Sequence, residues 1–199
     1  LTDYWFQNDQ KVKTVSIFDR ALHYGDGLFE TIAIRSGKPN LLDLHLDRLE
    51  LGCDRLNIDK SSIITVPSKL NLAIKAAGFA GADCIAKIIL SRGEGRRGYA
   101  PTKKMQPILR IGIYEKTLYP LEYYRDGIVV SISNIRLARQ PQLAGIKTMN
   151  RLEQVLAAAQ HNDSGCTEHF MMDTEGNLIC GTMSNIFLVC HSNVLTPAI

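Results

Sequence analysis

Apolar Leu28, Phe29, Ile32, Ala33 and Ile34 flank two polar positions in LFETIAIR, residues 28–35, a stretch rich in β-forming residues that predicts a β-strand; SGKPN supplies turn residues directly after it. Leu42, Leu46, Leu49, Cys53 and Leu56 then recur at helical spacing and predict an amphipathic helix over about residues 41–56. Asn40 stands where its N-cap belongs, with Asp43 three positions on. A second helix is expected over residues 69–77, ended by Gly78. Apolar strands follow at 85–91 and 108–114, separated by RGEGRRGYAPTKKMQP.

Residues 115–127, EKTLYPLEYYRDG, read as a linker, and a further strand is expected at 128–134. Leu152, Val155, Leu156 and Ala159 share one helical face, and Asn150 with Glu153 forms a capping-box-like start. The chain is β again at 169–173, turns at TEGN, and resumes as a strand at 186–190 before a turn at HSN. The pattern is α+β in two lobes: residues 1–114, a linker over 115–127, and residues 128–199. The chain opens at Leu1 without a methionine and closes at LTPAI directly after a strand and turn. A further C-terminal segment is therefore expected.

Composition changes this picture little. With 199 residues, 45% apolar and 22% charged, the chain is long enough to bury a site. A net charge of +3 is too small to argue for nucleic acid as a partner. No apolar run spans a bilayer and no signal-peptide pattern opens the chain, so no membrane partner is expected. The five cysteines are widely spaced without a CxxC, so neither a disulfide framework nor a metal site is expected, and a reducing cytoplasm fits.

Four places carry candidate chemistry. Lys147 follows Ala-Gly-Ile and precedes the helix expected from Asn150. The helix dipole and burial there both disfavour an ammonium, and a neutral amine is what Schiff-base chemistry needs. Spacing alone favours a snorkelling lysine at a strand end. Arg48 lies beside His45 off the leucine face, where its planar fork suits phosphate or carboxylate, or solvent alone. SRGEGRRGY, residues 91–99, puts three arginines and three glycines in nine residues, as an anion-binding loop or a plain basic hairpin. It is neither a P-loop nor a dinucleotide fingerprint. ICGTMSNIF, residues 179–187, has small and hydroxyl residues suited to lining a pocket with backbone N–H groups.

In order along the chain, FDRALHYGDGLFETI, HLDRL, SRGEGRRGY, AGIKTMNRLEQVLA and GTMSNIF together resemble the fold-type IV pyridoxal-phosphate enzymes. That group holds branched-chain aminotransferases, D-amino-acid aminotransferases and the 4-amino-4-deoxychorismate lyases, and SRGEGRRGY and KTMNRLEQVL are most similar to the lyases. The resemblance implies a two-lobed D-amino-acid-aminotransferase-like fold, usually a homodimer, with pyridoxal 5'-phosphate in the cleft. It implies a lyase that converts 4-amino-4-deoxychorismate to 4-aminobenzoate and pyruvate, or an aminotransferase of the same fold. Lys147 corresponds to the Schiff-base lysine and, with Thr31, to the catalytic pair. Arg48, Cys180, Met183 and Ser184 correspond to cofactor-binding positions, and Arg97 and Tyr99 to the substrate side. The chain departs from the family at Cys180, where E-G-[ST]-x-x-N-[IL]-F carries a glutamate. That glutamate keeps the pyridine nitrogen protonated, and a thiol is a weak partner for it. The family's later G-[VI]-x-G-x-x-R segment is not in this chain, which implies a catalytically impaired member as a further alternative.

Overall fold

The protein is described by a computed structural model covering residues 4–102, 105–160 and 166–197. It divides into two compact units, one of Leu1–Thr117 with Gly145–Asn150 and one of Leu118–Ala144 with Arg151–Ile199.

The first unit contains β1 (Tyr4–Gln7), β2 (Gln10–Lys11), α1 (Arg20–Tyr24), β3 (Gly27–Arg35), β4 (Lys38–Pro39), α2 (Leu42–Leu56), a 3-10 turn at Ile63–Thr65, α3 (Val66–Ala76), β5 (Cys84–Ser91) and β6 (Ile108–Glu115). Its strands form one antiparallel sheet in the order β2-β1-β6-β5-β3-β4. Side chains alternate across a strand, so β3 sends Leu28, Glu30, Ile32 and Ile34 to one face and β5 adds Cys84, Ala86, Ile88 and Leu90. All are buried, with Leu49 and Cys53 of α2 and Leu70 and Ile74 of α3. The leucine stripe of α2 is thus the core stripe. Its start differs from the sequence expectation: the N-cap is Leu41, in the left-handed region at φ 51°, with no side-chain cap, and the Asn40 N–H donates to the Ala33 carbonyl across the hairpin. α3 begins three residues earlier than expected because Pro67 fits the first turn, where no N–H is required. α1 was not evident from periodicity; Asp19 caps the Ala21 N–H at 2.9 Å and Gly25 ends it in the left-handed region.

The second unit contains α4 (Leu121–Arg125), β7 (Val130–Leu137), α5 (Leu152–Ala158), β8 (Glu168–Asp173), β9 (Leu178–Gly181), β10 (Leu188–Cys190) and β11 (Asn193–Leu195). β7 and β8 pair in parallel, with α5 between them in sequence, and β9 returns antiparallel to β8. β10 and β11 form a separate hairpin. The expected capping box at Asn150 and Glu153 does not form. α5 starts at Leu152 without a side-chain cap, and Glu153 Oε1 accepts from the Ala138 N–H at 2.9 Å. The predicted apolar face of α5 is also turned out: Leu152, Val155 and Leu156 are exposed, and Ala157 is the buried contact. No helix among the described residues is long and apolar enough to cross a membrane.

Candidate active site

In the first unit, the segment around Lys147 is built onto β3. The Phe29 N–H donates to the Lys147 carbonyl at 2.9 Å, the Met149 N–H donates to the Gly27 carbonyl at 3.0 Å, and Leu28 bridges Thr148. Lys147 therefore leads from a short segment bridged to β3 at Thr148, five residues ahead of the first helical residue. Its ammonium nitrogen lies 4.9 Å from the centre of the Phe29 ring. That ring face attracts a cation. Phe29 and Thr31 share the sheet face opposite the helices, and Thr31 is exposed on it. Lys87 stands directly across from Thr31 on β5, and its nitrogen is 5.1 Å from the same Phe29 ring. A ring, a hydroxyl and two amines thus converge on this face.

Glu30 alternates with Phe29 and Thr31 and meets α2. Its side chain is 1% exposed. Arg48 grips both of its oxygens, Nε to Oε1 at 2.7 Å and Nη2 to Oε2 at 2.6 Å, and His45 Nδ1 lies 2.7 Å from Oε2. The Glu30 hydrogen bonds hold Arg48 above the usual arginine value, against the opposing effect of burial. This explains the HxxR spacing: positions three apart on a helix share a face, and one buried carboxylate takes both. Arg48 is therefore a fixed guanidinium, 40% exposed, with Nη1 outside the bidentate pair.

The SRGEGRRGY loop leaves β5 at Ser91. Gly93 needs to be glycine, because its φ is +99° and a Cβ would run into the Gln106 carbonyl. Arg96 and Arg97 are exposed, and so is Tyr99, at 85%. The Tyr99 ring meets Tyr24 edge-on at 5.4 Å.

In the second unit, the GTMS turn wraps around one carboxylate. Glu168 Oε1 accepts from the His169 N–H at 2.9 Å, the Thr182 N–H at 3.0 Å and the Thr182 hydroxyl. Its Oε2 accepts from the Ser184 hydroxyl at 2.8 Å and the Met183 N–H at 3.4 Å. Burial alone raises the carboxyl; the bonds from Thr182, Ser184 and His169 outweigh it and hold the group below the usual glutamate range. The N–H groups of Thr182 and Met183 thus point at Glu168. This differs from the expectation that the amides of this stretch line a pocket. Met183 is 88% exposed, and Cys180 is half-buried on β9 opposite Met171.

Lys147 pairs beside β3, which carries Thr31, while Arg48 bonds Glu30 on the helix-covered face of the same sheet. Sequence reasoning missed Glu30, Lys87 and Glu168. Glu30 and Lys87 sit inside strands whose alternation marks them only as inward or outward. Glu168 is fourteen residues from Thr182, and a lone glutamate opening a strand carries no signal of its partners.

The chain matches the family model described as "Amino-transferase class IV" over residues 27–199. It is similar to an aminodeoxychorismate lyase of Vibrio harveyi, 31% identical over 93% of this chain and 67% of the relative. It is also similar to a putative branched-chain-amino-acid aminotransferase of Methanocaldococcus jannaschii, 32% identical over 96% of this chain and 65% of the relative. The chain thus spans about two thirds of the length of these relatives. Among solved structures, 4-amino-4-deoxychorismate lyase from Pseudomonas aeruginosa superposes with a TM-score of 0.87 at 39% identity, covering 98% of this chain and 70% of that one. The branched-chain aminotransferase of Escherichia coli superposes at 0.86 over 98% of this chain and 67% of that one, and at 22% identity it speaks to the fold alone.

Proposed function

The chain belongs to the class IV aminotransferase family and has its fold-type IV arrangement of mixed helix and sheet, and on that premise we propose a pyridoxal-phosphate-dependent lyase that converts 4-amino-4-deoxychorismate to 4-aminobenzoate and pyruvate. The observation that carries this reading is the Lys147 amine held on the open sheet face beside Phe29, with Thr31 on that same face. The two lyase relatives, at 31% and 39% identity, support it.

Enzymes of this family generally use pyridoxal phosphate, and the donor set tests the fit. Lys147 offers a primary amine for the aldehyde, and Arg48 a guanidinium fixed by Glu30 for the phosphate. Met183 and Ser184 belong to a turn that Glu168 holds rigid. The fit departs at Cys180, whose thiol is a weak partner for a protonated ring nitrogen. When bound, pyridoxal phosphate supplies an electron sink for the carbon next to the substrate nitrogen.

The remaining chemistry belongs to the chain. The Lys147 amine is the general base that takes the proton from the ring carbon bearing the substrate nitrogen, and it returns a proton to the departing three-carbon fragment. Thr31 supplies a hydroxyl on the same face. Arg97 and Tyr99 meet the substrate carboxylates with charged and phenolic donors. A homodimer in the cytoplasm completes this reading.

The second reading is an aminotransferase of the same fold, favoured by the 32% identity to the Methanocaldococcus relative. It uses the same lysine but needs a 2-oxo acid. Steady release of pyruvate from 4-amino-4-deoxychorismate with no amino acceptor present selects the lyase; pyruvate-free turnover that requires an added 2-oxo acid selects the aminotransferase. Lys147→Ala should lose both turnover and the visible absorption band that appears when cofactor is added, and a variant that keeps the band removes Lys147 from its assigned role.

A further inference from the structure

We infer that Arg20 is a positioning residue that clamps the Arg97–Tyr99 segment in place, an inference that rests on reading this segment as the substrate side of the lyase site. Arg20 opens α1 and is 4% exposed. Its guanidinium spends its donors in three directions: Nε to Asp26 Oδ2 at 2.7 Å, Nη1 to the Gly98 carbonyl at 2.9 Å, and Nη2 to the Tyr99 carbonyl at 2.6 Å. The acceptors on the loop lie 78 and 79 residues away in sequence. The backbone repeats the connection: the Arg20 N–H donates to the Gly93 carbonyl at 3.0 Å, and the Gly95 N–H donates to the Phe18 carbonyl at 3.0 Å. Tyr24, one turn further along α1, lies 4.8 Å under the guanidinium, accepts from the Gly98 N–H at 3.2 Å, and meets the Tyr99 ring.

The physical need for such a clamp is in the loop's composition. Gly93, Gly95 and Gly98 make the segment entropically costly to order. An exposed arginine on a loose loop gives up affinity when the substrate has to order it. Arg20 orders the loop beforehand from its buried side and leaves Arg96 and Arg97 exposed. A lysine cannot do the same, because only the planar fork reaches a carboxylate and two successive carbonyls together. Asp26 does not depend on Arg20 alone. Arg92 Nε also reaches Asp26 Oδ2 at 2.7 Å, and Arg92 is itself fixed by the Leu56 and Asn57 carbonyls. Removing Arg20 therefore leaves no orphaned buried carboxylate.

The experiment compares the full-length enzyme with Arg20→Met and Arg20→Lys. Limited trypsin digestion, read by mass spectrometry, gives the cleavage rate after Arg96 and Arg97 relative to that after exposed Arg125 on α4. The clamp predicts that this ratio rises about tenfold in Arg20→Met. It also predicts that KM for 4-amino-4-deoxychorismate rises about tenfold, with smaller change in kcat and with the affinity for pyridoxal phosphate, read by absorbance, within about twofold of wild type. Arg20→Lys, which keeps the charge, should give an intermediate ratio, and it carries the test if Arg20→Met does not fold. An unchanged cleavage ratio overturns the clamp. A raised ratio with parallel loss of cofactor affinity and kcat also overturns it, because that marks general loosening. If wild type releases no pyruvate, the lyase reading fails by itself and the cleavage ratio alone decides the clamp.

Discussion

The amide and the hydroxyl of Thr182 both donate to one oxygen, Oε1 of Glu168. With Ser184, Met183 and His169 donating to the same carboxylate, the GTMS turn is folded around a single negative charge. The folded-state value of this carboxyl lies below its ordinary 4.5, so its stabilisation is fully present above about pH 4.5 and is lost as pH falls through the lower, folded value. Glu168→Gln keeps one acceptor but presents N–H groups to donors, and should cost about 1–3 kcal/mol at pH 7. Urea unfolding at pH 7 and pH 4 checks both points. The loss of stability between the two pH values should shrink in the variant, and an equal loss assigns the pH dependence to another group.

Glu30 fixes Arg48, so its replacement should be felt at a distance. Glu30→Gln removes the charge that aligns the guanidinium and should weaken binding of pyridoxal phosphate about tenfold, the equivalent of one charge-assisted hydrogen bond. A cofactor titration followed by absorbance measures this. Unchanged affinity would show that Arg48 holds its position without Glu30 or does not meet the cofactor.

Lys87 shares the open face with Lys147 and lies across from Thr31. Lys87→Met keeps the stem and removes the charge. It should raise KM for an anionic substrate by about tenfold and leave the cofactor absorption band in place. If KM is unchanged, Lys87 faces the site without serving it.

Cys180→Glu restores the carboxylate of the family pattern. Turnover should rise, because a carboxylate keeps the ring nitrogen protonated where a thiol does not. Steady-state kinetics of the two proteins at saturating cofactor decide the matter, and an equal or lower kcat removes Cys180 as the limit on the electron sink.

Gly93→Ala is expected to destabilise by about 1–3 kcal/mol, from a φ of +99° and the Gln106 carbonyl standing where the methyl would go. A denaturant midpoint close to wild type would mean that the loop can re-route.

What was legible in the sequence follows from what is local. LFETIAIR became β3 because its β-forming residues favour an extended backbone, and the leucine stripe of α2 became core because helical spacing reports burial directly. The caps were not legible. Asn40 and Glu153 have the right chemistry for capping, but the hairpin claims the backbone of one and Ala138 the carboxylate of the other. The same holds at the candidate site. Lys147 stands out by its odd company, although it leads from a segment bridged to β3 and not from the helix start. Glu30, Lys87 and Glu168 were silent, because each is defined by a partner on another element.

The pairing of Lys147 and Met149 with β3 bears on how the chain comes off the ribosome. The first unit is not finished when Thr117 emerges, since Gly145–Asn150 belongs to it and arrives only after β7 has been made. The partners of the Phe29 N–H and the Gly27 carbonyl, the Lys147 carbonyl and the Met149 N–H, are made only then. A gene cut at the apparent boundary would therefore yield an N-terminal fragment with the SRGEGRRGY loop but without Lys147.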